Sequence, residues 1–303
     1  MRLLKGVVVP IVTPLKRGNQ DKIDEIAVEK LCDFLISKGV HGLFPCGTTG
    51  EGFLLSKESR KELASRVIKK TKGRVPVIIQ TGYIDTKSTI ELTKHARDIG
   101  ADGAAVISPY FYHYSDDSLE KHYVEVAQAV PGFPIYIYNL PGNTNNNITP
   151  ELMRTIMNEA DNVVGMKYSS DDIKWMPEYC SYLEENKVFL IGNDQLIYSA
   201  LVMGASGCIA GNANVFPEPF VNLYNNVVKG NYEEAKKDQY LISKIAVTLG
   251  MGAHICAFKT GLRFRGIDTG PVISPQKHFT EKEARSLCQE LKGLGLPLEN
   301  PIC

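Results

Sequence analysis

The residue whose chemistry stands out most in this sequence is a lysine near the end of a short apolar run. The run is VVGMKY at 163–168, and in a β-strand its side chains alternate between two faces. Val163, Gly165 and Lys167 then share the face that points into the fold, and the bulkier residues take the other face. Lysine is rarely buried without a reason. Two interpretations stay open: Lys167 pairs with a buried carboxylate, or its desolvated amine attacks a carbonyl group.

A tyrosine occupies a similar position in the preceding run, Pro134–Pro141. Alternation places Tyr136 and Tyr138 on one face, with Tyr138 near the end of the strand. If the two runs are neighbouring parallel strands, the Tyr138 phenol lies beside Lys167 and can shuttle protons while a carbinolamine forms. The competing interpretation is a core aromatic side chain whose hydroxyl finds a local partner.

A turn rich in glycine and threonine, CGTTGEG at 46–52, follows an earlier apolar run. At a strand-to-helix junction such a turn can present backbone N–H groups and the Thr48 and Thr49 hydroxyls to a carboxylate. An ordinary tight turn is the alternative, and a P-loop is excluded because no Gly-Lys-Ser/Thr follows. An amine, a proton relay and an anion site at three strand ends together favour carbonyl chemistry on a small 2-oxo acid.

These residues need a fold that brings strand ends together. Eight short apolar runs, separated by segments of helical periodicity such as Lys57–Lys70 and Ser118–Val130, predict parallel α/β architecture. The first run is not followed by G-x-G-x-x-G, which disfavours an open dinucleotide-binding sheet. We therefore expect a (β/α)8 TIM barrel over 1–230, with a C-terminal helical region, 231–303, packed on it. The eight runs are Gly6–Thr13, Gly42–Gly47, Val75–Gly82, Gly103–Pro109, Pro134–Pro141, Val163–Ser169, Val188–Asp194 and Gly207–Asn212.

Composition limits the partners and the compartment. The 34 basic and 34 acidic residues cancel, which argues against binding to nucleic acid or anionic membranes. The one dense basic run, 69–74, falls where a helix should end. Seven scattered cysteines, no signal peptide and no span of about 20 apolar residues predict a cytoplasmic protein with reduced thiols. The six histidines include no H-E-x-x-H or facing pair, so we expect no metal.

From about Leu4 through Pro275 the sequence resembles the dihydrodipicolinate synthase / N-acetylneuraminate lyase family. The resemblance implies a (β/α)8 barrel, a C-terminal helical region and a homo-oligomer, usually a tetramer and alternatively a dimer. It also implies no metal or organic cofactor, because an imine serves as the electron sink. The matching motifs, in order, are VPIVTP at 9–14, GTTGE at 47–51, YNLP at 138–141, GMK at 165–167 and GASG at 204–207.

The resemblance also assigns roles to individual residues. It implies that pyruvate forms a Schiff base with Lys167 and that Tyr138 relays protons. In the turn that begins at Gly47, Thr48 would connect that tyrosine to a hydroxyl relay and Thr49 would help to hold the pyruvate carboxylate. The matching positions in the pyruvate pocket are Gly192 and the backbone of Ile209.

Two positions depart from the family pattern. Family members that use aspartate semialdehyde carry an arginine where this chain has Asn143, and no arginine occurs between Arg97 and Arg154. Losing such a charge-assisted contact costs roughly 1.5–3 kcal/mol of binding. The inter-subunit relay tyrosine is replaced by Phe111, so Tyr110 or Tyr112 would have to substitute.

The sequence therefore predicts a class I aldolase acting on pyruvate and an aldehyde, which cleaves or forms a 4-hydroxy-2-oxo acid such as a 2-keto-3-deoxy sugar acid. The amides at 143 and 145–147 offer partners for substrate hydroxyls, and a plain polar loop is the equal alternative. Other activities stay open: a 4-hydroxy-tetrahydrodipicolinate synthase, an imine-dependent dehydratase, a metal-dependent barrel enzyme and a non-catalytic 2-oxo-acid sensor.

Overall fold

A computed structural model describes residues 3–183, 186–252 and 254–299 of the chain. Strands and helices alternate along most of its length, as the periodicity predicts. In chain order the elements are β1 (Gly6–Val9), β2 (Leu15–Lys16), β3 (Asn19–Ile23), α1 (Glu25–Ser37), β4 (Gly42–Leu43), α2 (Lys57–Thr71), β5 (Ile78–Gln80), α3 (Thr86–Asp98), β6 (Gly103–Ile107), α4 (Asp116–Gln128), β7 (Ile135–Asn139), α5 (Pro141–Thr144), α6 (Pro150–Glu159), β8 (Val163–Tyr168), α7 (Met176–Ser181), β9 (Val188–Ile191), α8 (Ile197–Val202), β10 (Gly207–Ile209), α9 (Pro217–Val228), α10 (Tyr232–Thr248), α11 (Ile255–Phe264) and α12 (Glu281–Gly293).

Eight parallel strands form one sheet in the order β4, β1, β10, β9, β8, β7, β6, β5. Its two outer strands meet through a parallel bridge between Leu43 and Val77, where the Leu43 N–H donates to the Pro76 carbonyl over 3.0 Å. The sheet is therefore closed, and the predicted (β/α)8 barrel is confirmed. Each strand ends earlier than its apolar run, because the last residues of each run leave the ladder and form the mouth of the barrel.

Apolar side chains form two layers, one on each side of the barrel wall. The interior layer includes Phe44, Tyr136, Tyr138 and Leu190, and the outer layer lies between strands and helices. The pairing of β7 with β8 sets Tyr136 opposite Gly165 and Tyr138 opposite Lys167. Two aromatic side chains and the lysine thus reach the interior from adjacent strands, as alternation predicts.

The alternation predicted for 163–168 is wrong at its first two residues. Val164 lies in the interior layer and Val163 in the outer layer, opposite to the prediction. The cause is a register shift between Ile135 and Tyr136, because an irregular pair of strands interrupts the period of two. From Gly165 onward the prediction is confirmed. A Cβ on Gly165 would lie 2.5 Å from the Val188 carbonyl oxygen, so the close approach of β9 requires glycine there.

Helix ends follow the capping rules. The Ser56 hydroxyl accepts from the Ser59 N–H at the start of α2, and Lys72 closes the helix in the left-handed region, at φ 49°. The basic run at 69–74 thus ends a helix, as predicted, and Arg74 contacts Asp33 on α1 at 2.8 Å. The α4 helix begins two residues before the predicted start.

Two features of the fold were not predicted. A short antiparallel hairpin, β2–β3, follows the first barrel strand and pairs Leu15 with Ile23. The second is that α11 continues through Gly261 to Phe264, although glycine is a poor helix former. Gly261 is needed in the helix for close packing, since a Cβ there would lie 2.8 Å from Val215 Cγ1.

The C-terminal helices share the outer hydrophobic core with the barrel. Phe258 and Leu262 of α11 and Leu287 of α12 belong to the same buried cluster as the helix-facing residues of the barrel strands. Arg265 also reaches Glu218 at 2.7 Å, at the start of α9. The boundary proposed between residues 230 and 231 stays a prediction.

The cysteines follow the expected redox state with one exception. Cys32, Cys46, Cys180, Cys208 and Cys256 are free thiols. Cys288 is disulfide-bonded, so the expectation of reduced thiols is wrong at that residue. Cys303 lies outside the described residues. Across the ranges that the structure describes, no helix is both long enough and apolar enough to cross a membrane.

Candidate active site at the carboxyl end of the barrel

A cleft of about 740 Å³ opens at the carboxyl ends of the barrel strands. Active sites of (β/α)8 enzymes lie at this end, because the loops after the strands converge there. Its lining includes most of the residues predicted to form a site, namely Lys167, Tyr138, Thr48, Thr49, Gly192, Ile209 and Asn143. The two that do not line it are Gly47 and Tyr110.

Lys167 is buried among aromatic rings at the base of this cleft. Its side chain is 5% exposed, and Nζ lies 3.8 Å from the centre of the Tyr138 ring and 4.8 Å from that of Phe44. Among the described residues, its amine forms no ion pair with a carboxylate. The interpretation of Lys167 as half of a buried ion pair is therefore wrong. Its amine is open to the cleft, as a nucleophile requires.

Tyr138 connects the lysine with the turn after β4. Its ring lies beneath the amine, and its hydroxyl forms a 3.1 Å hydrogen bond with the Thr48 hydroxyl. Phe44 packs edge-on against the Tyr138 ring, with centroids 6.1 Å apart, and fixes its orientation. The phenol hydroxyl, in contact with a second hydroxyl and buried beside an amine, can accept and return a proton.

The turn at 46–52 has a tightly specified backbone. Cys46 and Glu51 adopt left-handed conformations, at φ 64° and 56°, and a Cβ on Gly52 would lie 1.9 Å from the Cys46 carbonyl oxygen. Among the described residues, neither the Thr48 nor the Thr49 backbone N–H donates a hydrogen bond. These groups and the Thr49 hydroxyl are therefore available to a carboxylate at the cleft.

Gly47 contributes to this turn by packing. A Cβ there would lie 2.8 Å from the Phe44 ring, so glycine is required beneath the aromatic residue that supports Tyr138. Its predicted part in substrate binding is consequently indirect, because Gly47 does not line the cleft.

A buried ion pair anchors the same turn to the C-terminal region. Glu51 Oε2 lies 2.8 Å from Lys259 Nζ on α11, and the two side chains are 0% and 4% exposed. Glu51 Oε1 accepts from the Ile273 N–H over 2.6 Å and from the Gln276 amide over 3.1 Å. Burial lowers the pKa of Lys259, and the neighbouring Glu51 opposes that shift.

Gly192 leaves room for a hydroxyl that the sequence analysis missed. A Cβ on Gly192 would lie 1.9 Å from the Ser169 Oγ and 3.1 Å from Lys167 Cε. The Ser169 hydroxyl therefore occupies the space beside the lysine side chain and lines the cleft. Ser169 is the last residue of a predicted strand run, and this position at the barrel mouth could have identified it as a candidate site residue.

Asp194 is a second cleft residue that was missed. Its Oδ2 accepts from the Asn212 backbone N–H over 3.0 Å and from the Asn212 amide over 2.7 Å. Burial raises the pKa of Asp194, and the hydrogen bonds from Asn212 and the charge of Lys167 oppose that shift. Asp194 follows β9, at the carboxyl end of a barrel strand, where active-site residues of (β/α)8 enzymes lie.

The asparagine run at 143–147 has mixed roles. Asn143 is exposed and lines the cleft. Asn146 is buried, and its amide donates to the carbonyls of Pro109, Tyr112 and Thr144 over 2.8, 2.8 and 3.1 Å. The run is thus largely a structural loop that holds residues 109–114, and Asn143 alone among 143 and 145–147 lines the cleft.

The segment predicted to replace the relay tyrosine follows β6, at the carboxyl end of the barrel. Tyr110 packs edge-on against Phe53 at 5.4 Å, and burial raises the pKa of its phenol. Phe111 adopts a left-handed backbone, at φ 80°, and its side chain is 77% exposed. Within one chain, neither Tyr110 nor Phe111 lines the cleft.

Comparison with known proteins gives consistent results over nearly the whole chain. The model of the dihydrodipicolinate synthetase family matches residues 3–294. The 4-hydroxy-tetrahydrodipicolinate synthase of Syntrophobacter fumaroxidans is 36% identical over 295 residues, covering 97% of this chain and 100% of its own length. An uncharacterized DapA-like lyase of Halobacterium salinarum is 33% identical over 293 residues, covering 97% of this chain and 95% of its own length.

Solved structures agree with this assignment. Dihydrodipicolinate synthase from Aquifex aeolicus superposes with a TM-score of 0.92 at 30% identity, covering 98% of this chain and 100% of its own. YagE, a prophage protein from E. coli K12 solved in complex with pyruvate, gives a TM-score of 0.92 at 29% identity with the same coverage. The resemblance found in the sequence is confirmed: the chain belongs to the dihydrodipicolinate synthetase family, a family of lyases.

Proposed function

We propose that the protein is a class I aldolase that joins pyruvate to an aldehyde, or cleaves the resulting 4-hydroxy-2-oxo acid, through a Schiff base on Lys167. The observation that carries this proposal is the environment of the amine. Among the described residues, no carboxylate lies within ion-pair distance of the buried Lys167 amine, which is 3.8 Å above the ring of Tyr138. The Tyr138 hydroxyl contacts Thr48. Pyruvate recognition is supported by a relative, YagE, that was solved with pyruvate.

The chemistry follows from these positions. Lys167 Nζ attacks C2 of pyruvate, and the resulting carbinolamine loses water to give a protonated imine. Removal of a proton from C3 then gives an enamine, and the imine nitrogen takes up the electron pair. The enamine attacks the aldehyde carbon, the aldehyde oxygen becomes the 4-hydroxyl, and water releases the product and restores the amine. Tyr138, with Thr48, moves the protons of these steps.

The carboxylate of pyruvate has a matching site next to the amine. Thr48 and Thr49 line the cleft, and their unbonded backbone N–H groups and the Thr49 hydroxyl are groups that can hold an anion. Gly192 and Ile209 line the same part of the cleft. Holding the carboxylate fixes the keto carbon relative to Lys167, which converts the attack into an intramolecular step.

A synthase acting on aspartate semialdehyde is the second candidate, because curated relatives such as that of Syntrophobacter fumaroxidans carry the name. Asn143 opposes it, since an exposed amide replaces the guanidinium that would grip the second carboxylate. An aldolase for a 2-keto-3-deoxy sugar acid fits better, because its aldehyde product carries hydroxyls for which amides are suitable partners.

A coupled assay separates these candidates. With 2-keto-3-deoxygluconate as substrate, we expect pyruvate to be released in the presence of EDTA and Lys167→Met to abolish the release. A product that keeps all the carbons of the substrate would indicate a dehydratase. Pyruvate consumption that is faster with aspartate semialdehyde than with any hydroxyaldehyde would overturn the proposal in favour of the synthase. Pyruvate binding without turnover would indicate a sensor.

We also propose a homo-oligomer, a tetramer or a dimer. Phe111 and the adjacent Tyr112 are 77% and 60% exposed, and their rings pack edge-on with centroids 5.1 Å apart. Exposed aromatic patches of this kind are typical of protein interfaces. Sedimentation velocity should show a species larger than one chain, and Phe111→Asp should shift it toward the monomer.

A further inference from the structure

The outer rim of the cleft carries an oriented carboxylate at the end of β8. Asp171 Oδ1 accepts from the Asn193 amide over 2.7 Å, and Asn193 Oδ1 accepts from the Gln195 N–H over 2.9 Å. The second bond fixes which end of the amide faces Asp171. Among the described residues, Asp171 has no other hydrogen-bond or ion-pair partner, so its second oxygen is free at the cleft.

The charges lining the cleft have one sign apart from Lys167. Among the described residues that line it, three carry carboxylates, namely Asp171, Asp172 and Asp194, and Lys167 is the only lysine or arginine. Asp172 is paired with Lys174 at 2.9 Å, and Asp194 is hydrogen-bonded by Asn212. Once an imine forms, the carboxylate of the bound oxo acid balances the charge on Lys167. The second substrate then meets a negatively charged rim, and no other lysine or arginine occurs among the described residues that line it.

We infer that Asp171 and Asn193 form a hydroxyl-binding subsite that selects an uncharged polyhydroxy aldehyde and rejects aldehydes whose far end carries a phosphate or a carboxylate. This inference rests on the proposed aldolase function and names its second substrate class. A carboxylate oxygen accepts from a hydroxyl, and an amide oriented by a neighbour completes such a site. An anionic group at the same place meets like charge, which reduces affinity.

Charge reversal at Asp171 tests this inference. The probes are glyceraldehyde, glyceraldehyde 3-phosphate and propanal, each with saturating pyruvate, and the readout is kcat/KM for the aldehyde. We expect the wild type to prefer glyceraldehyde by about tenfold or more over each of the other two. Asp171→Lys should shift the preference toward the phosphorylated aldehyde by about tenfold or more, and added salt should reduce that shift.

Two further variants make the comparison specific. Asp161→Lys makes the same charge change at an exposed residue before β8, at the opposite end of the barrel, and should leave the preference unchanged. Asp171→Asn keeps the size of the side chain and removes its charge. It should weaken discrimination against the phosphate and also lower kcat/KM for glyceraldehyde, because a neutral amide replaces the charged acceptor of the substrate hydroxyl.

Labelling of each variant with pyruvate and borohydride separates this inference from the function on which it rests. A labelled Lys167 with an unchanged aldehyde preference in Asp171→Lys would overturn the subsite alone. A wild type that prefers the phosphorylated aldehyde would overturn it as well. Failure of labelling in the wild type would refute the aldolase proposal, and the subsite with it.

Discussion

The buried pair between Glu51 and Lys259 gives a quantitative test of how the turn at 46–52 is held in place. In Glu51→Gln the lysine amine keeps its buried position, 4% exposed, and loses the negative charge 2.8 Å away. Removing one partner of a buried ion pair costs about 3–5 kcal/mol, because the other charge is left uncompensated. A whole domain is stable by only about 5–15 kcal/mol, so this is a large fraction.

The expected loss is measurable by thermal unfolding. At about 2–4 °C per kcal/mol for domains of 150–250 residues, the variant should melt roughly 6–20 °C below the wild type. The double variant Glu51→Gln/Lys259→Met should recover much of this loss, because it removes the buried ammonium that the single variant leaves uncompensated. Glu233→Gln, which breaks an exposed pair with Lys236, is the matched control and should melt as the wild type does.

The same pair should affect pyruvate more than the later steps. Glu51 fixes the turn that carries Thr48 and Thr49, so its loss should loosen the proposed carboxylate site before it affects Lys167 itself. We expect the KM for pyruvate to rise more than kcat falls in Glu51→Gln. A single variant that melts with the wild type, or a double variant no more stable than the single one, would refute the reasoning.

Three other predictions concern separate parts of the molecule. Burial lowers the pKa of His122 from 6.5 to about 4. Between pH 6.5 and pH 4 the unfolded state therefore binds more protons than the folded state, and the free energy of unfolding falls by roughly 3 kcal/mol as the pH drops through this range. In urea titrations His122→Gln should lose less stability over this pH range than the wild type does. An equal loss in both proteins would contradict the lowered pKa of His122. Gly192→Ala places a Cβ 3.1 Å from the Lys167 side chain and should lower kcat/KM about 100-fold, whereas Gly293→Ala, in open space on α12, should keep full activity. Asn146→Ala leaves three carbonyls without a donor and should cost about 2 kcal/mol or more, whereas Asn143→Ala should change stability by less than about 0.5 kcal/mol, as urea unfolding would show.

Local patterns predicted the parts of the fold that depend on neighbouring residues. The barrel strands were evident because strands buried on both faces form continuous apolar runs. The orientation of Lys167 followed from simple alternation, which the β7–β8 register preserves from Gly165 onward. The reversed faces of Val163 and Val164 could not be predicted, because the irregularity depends on how β8 pairs with its neighbour.

Features that depend on contacts between residues far apart in the chain could not be predicted from the sequence. Glu51 and Lys259 meet across most of the chain, and neither residue type nor local spacing indicates the pairing. The asparagine run is a second example. The local sequence does not distinguish its four asparagines, so it could not predict that Asn146 is buried while Asn143 lines the cleft. Three cleft residues could have been predicted from the rule that active sites lie at the carboxyl ends of barrel strands, because each follows a strand end: Ser169, Asp171 and Asp194.

The central claim is that Lys167 forms an imine with pyruvate, and reductive trapping tests it most directly. The protein is incubated with pyruvate and sodium borohydride, digested and examined by peptide mass spectrometry. We predict a reduced pyruvyl adduct on Lys167 and none on Lys259, a second buried lysine that is held by Glu51. An active enzyme whose Lys167 stays unmodified, or whose adduct forms on another lysine, would contradict the account.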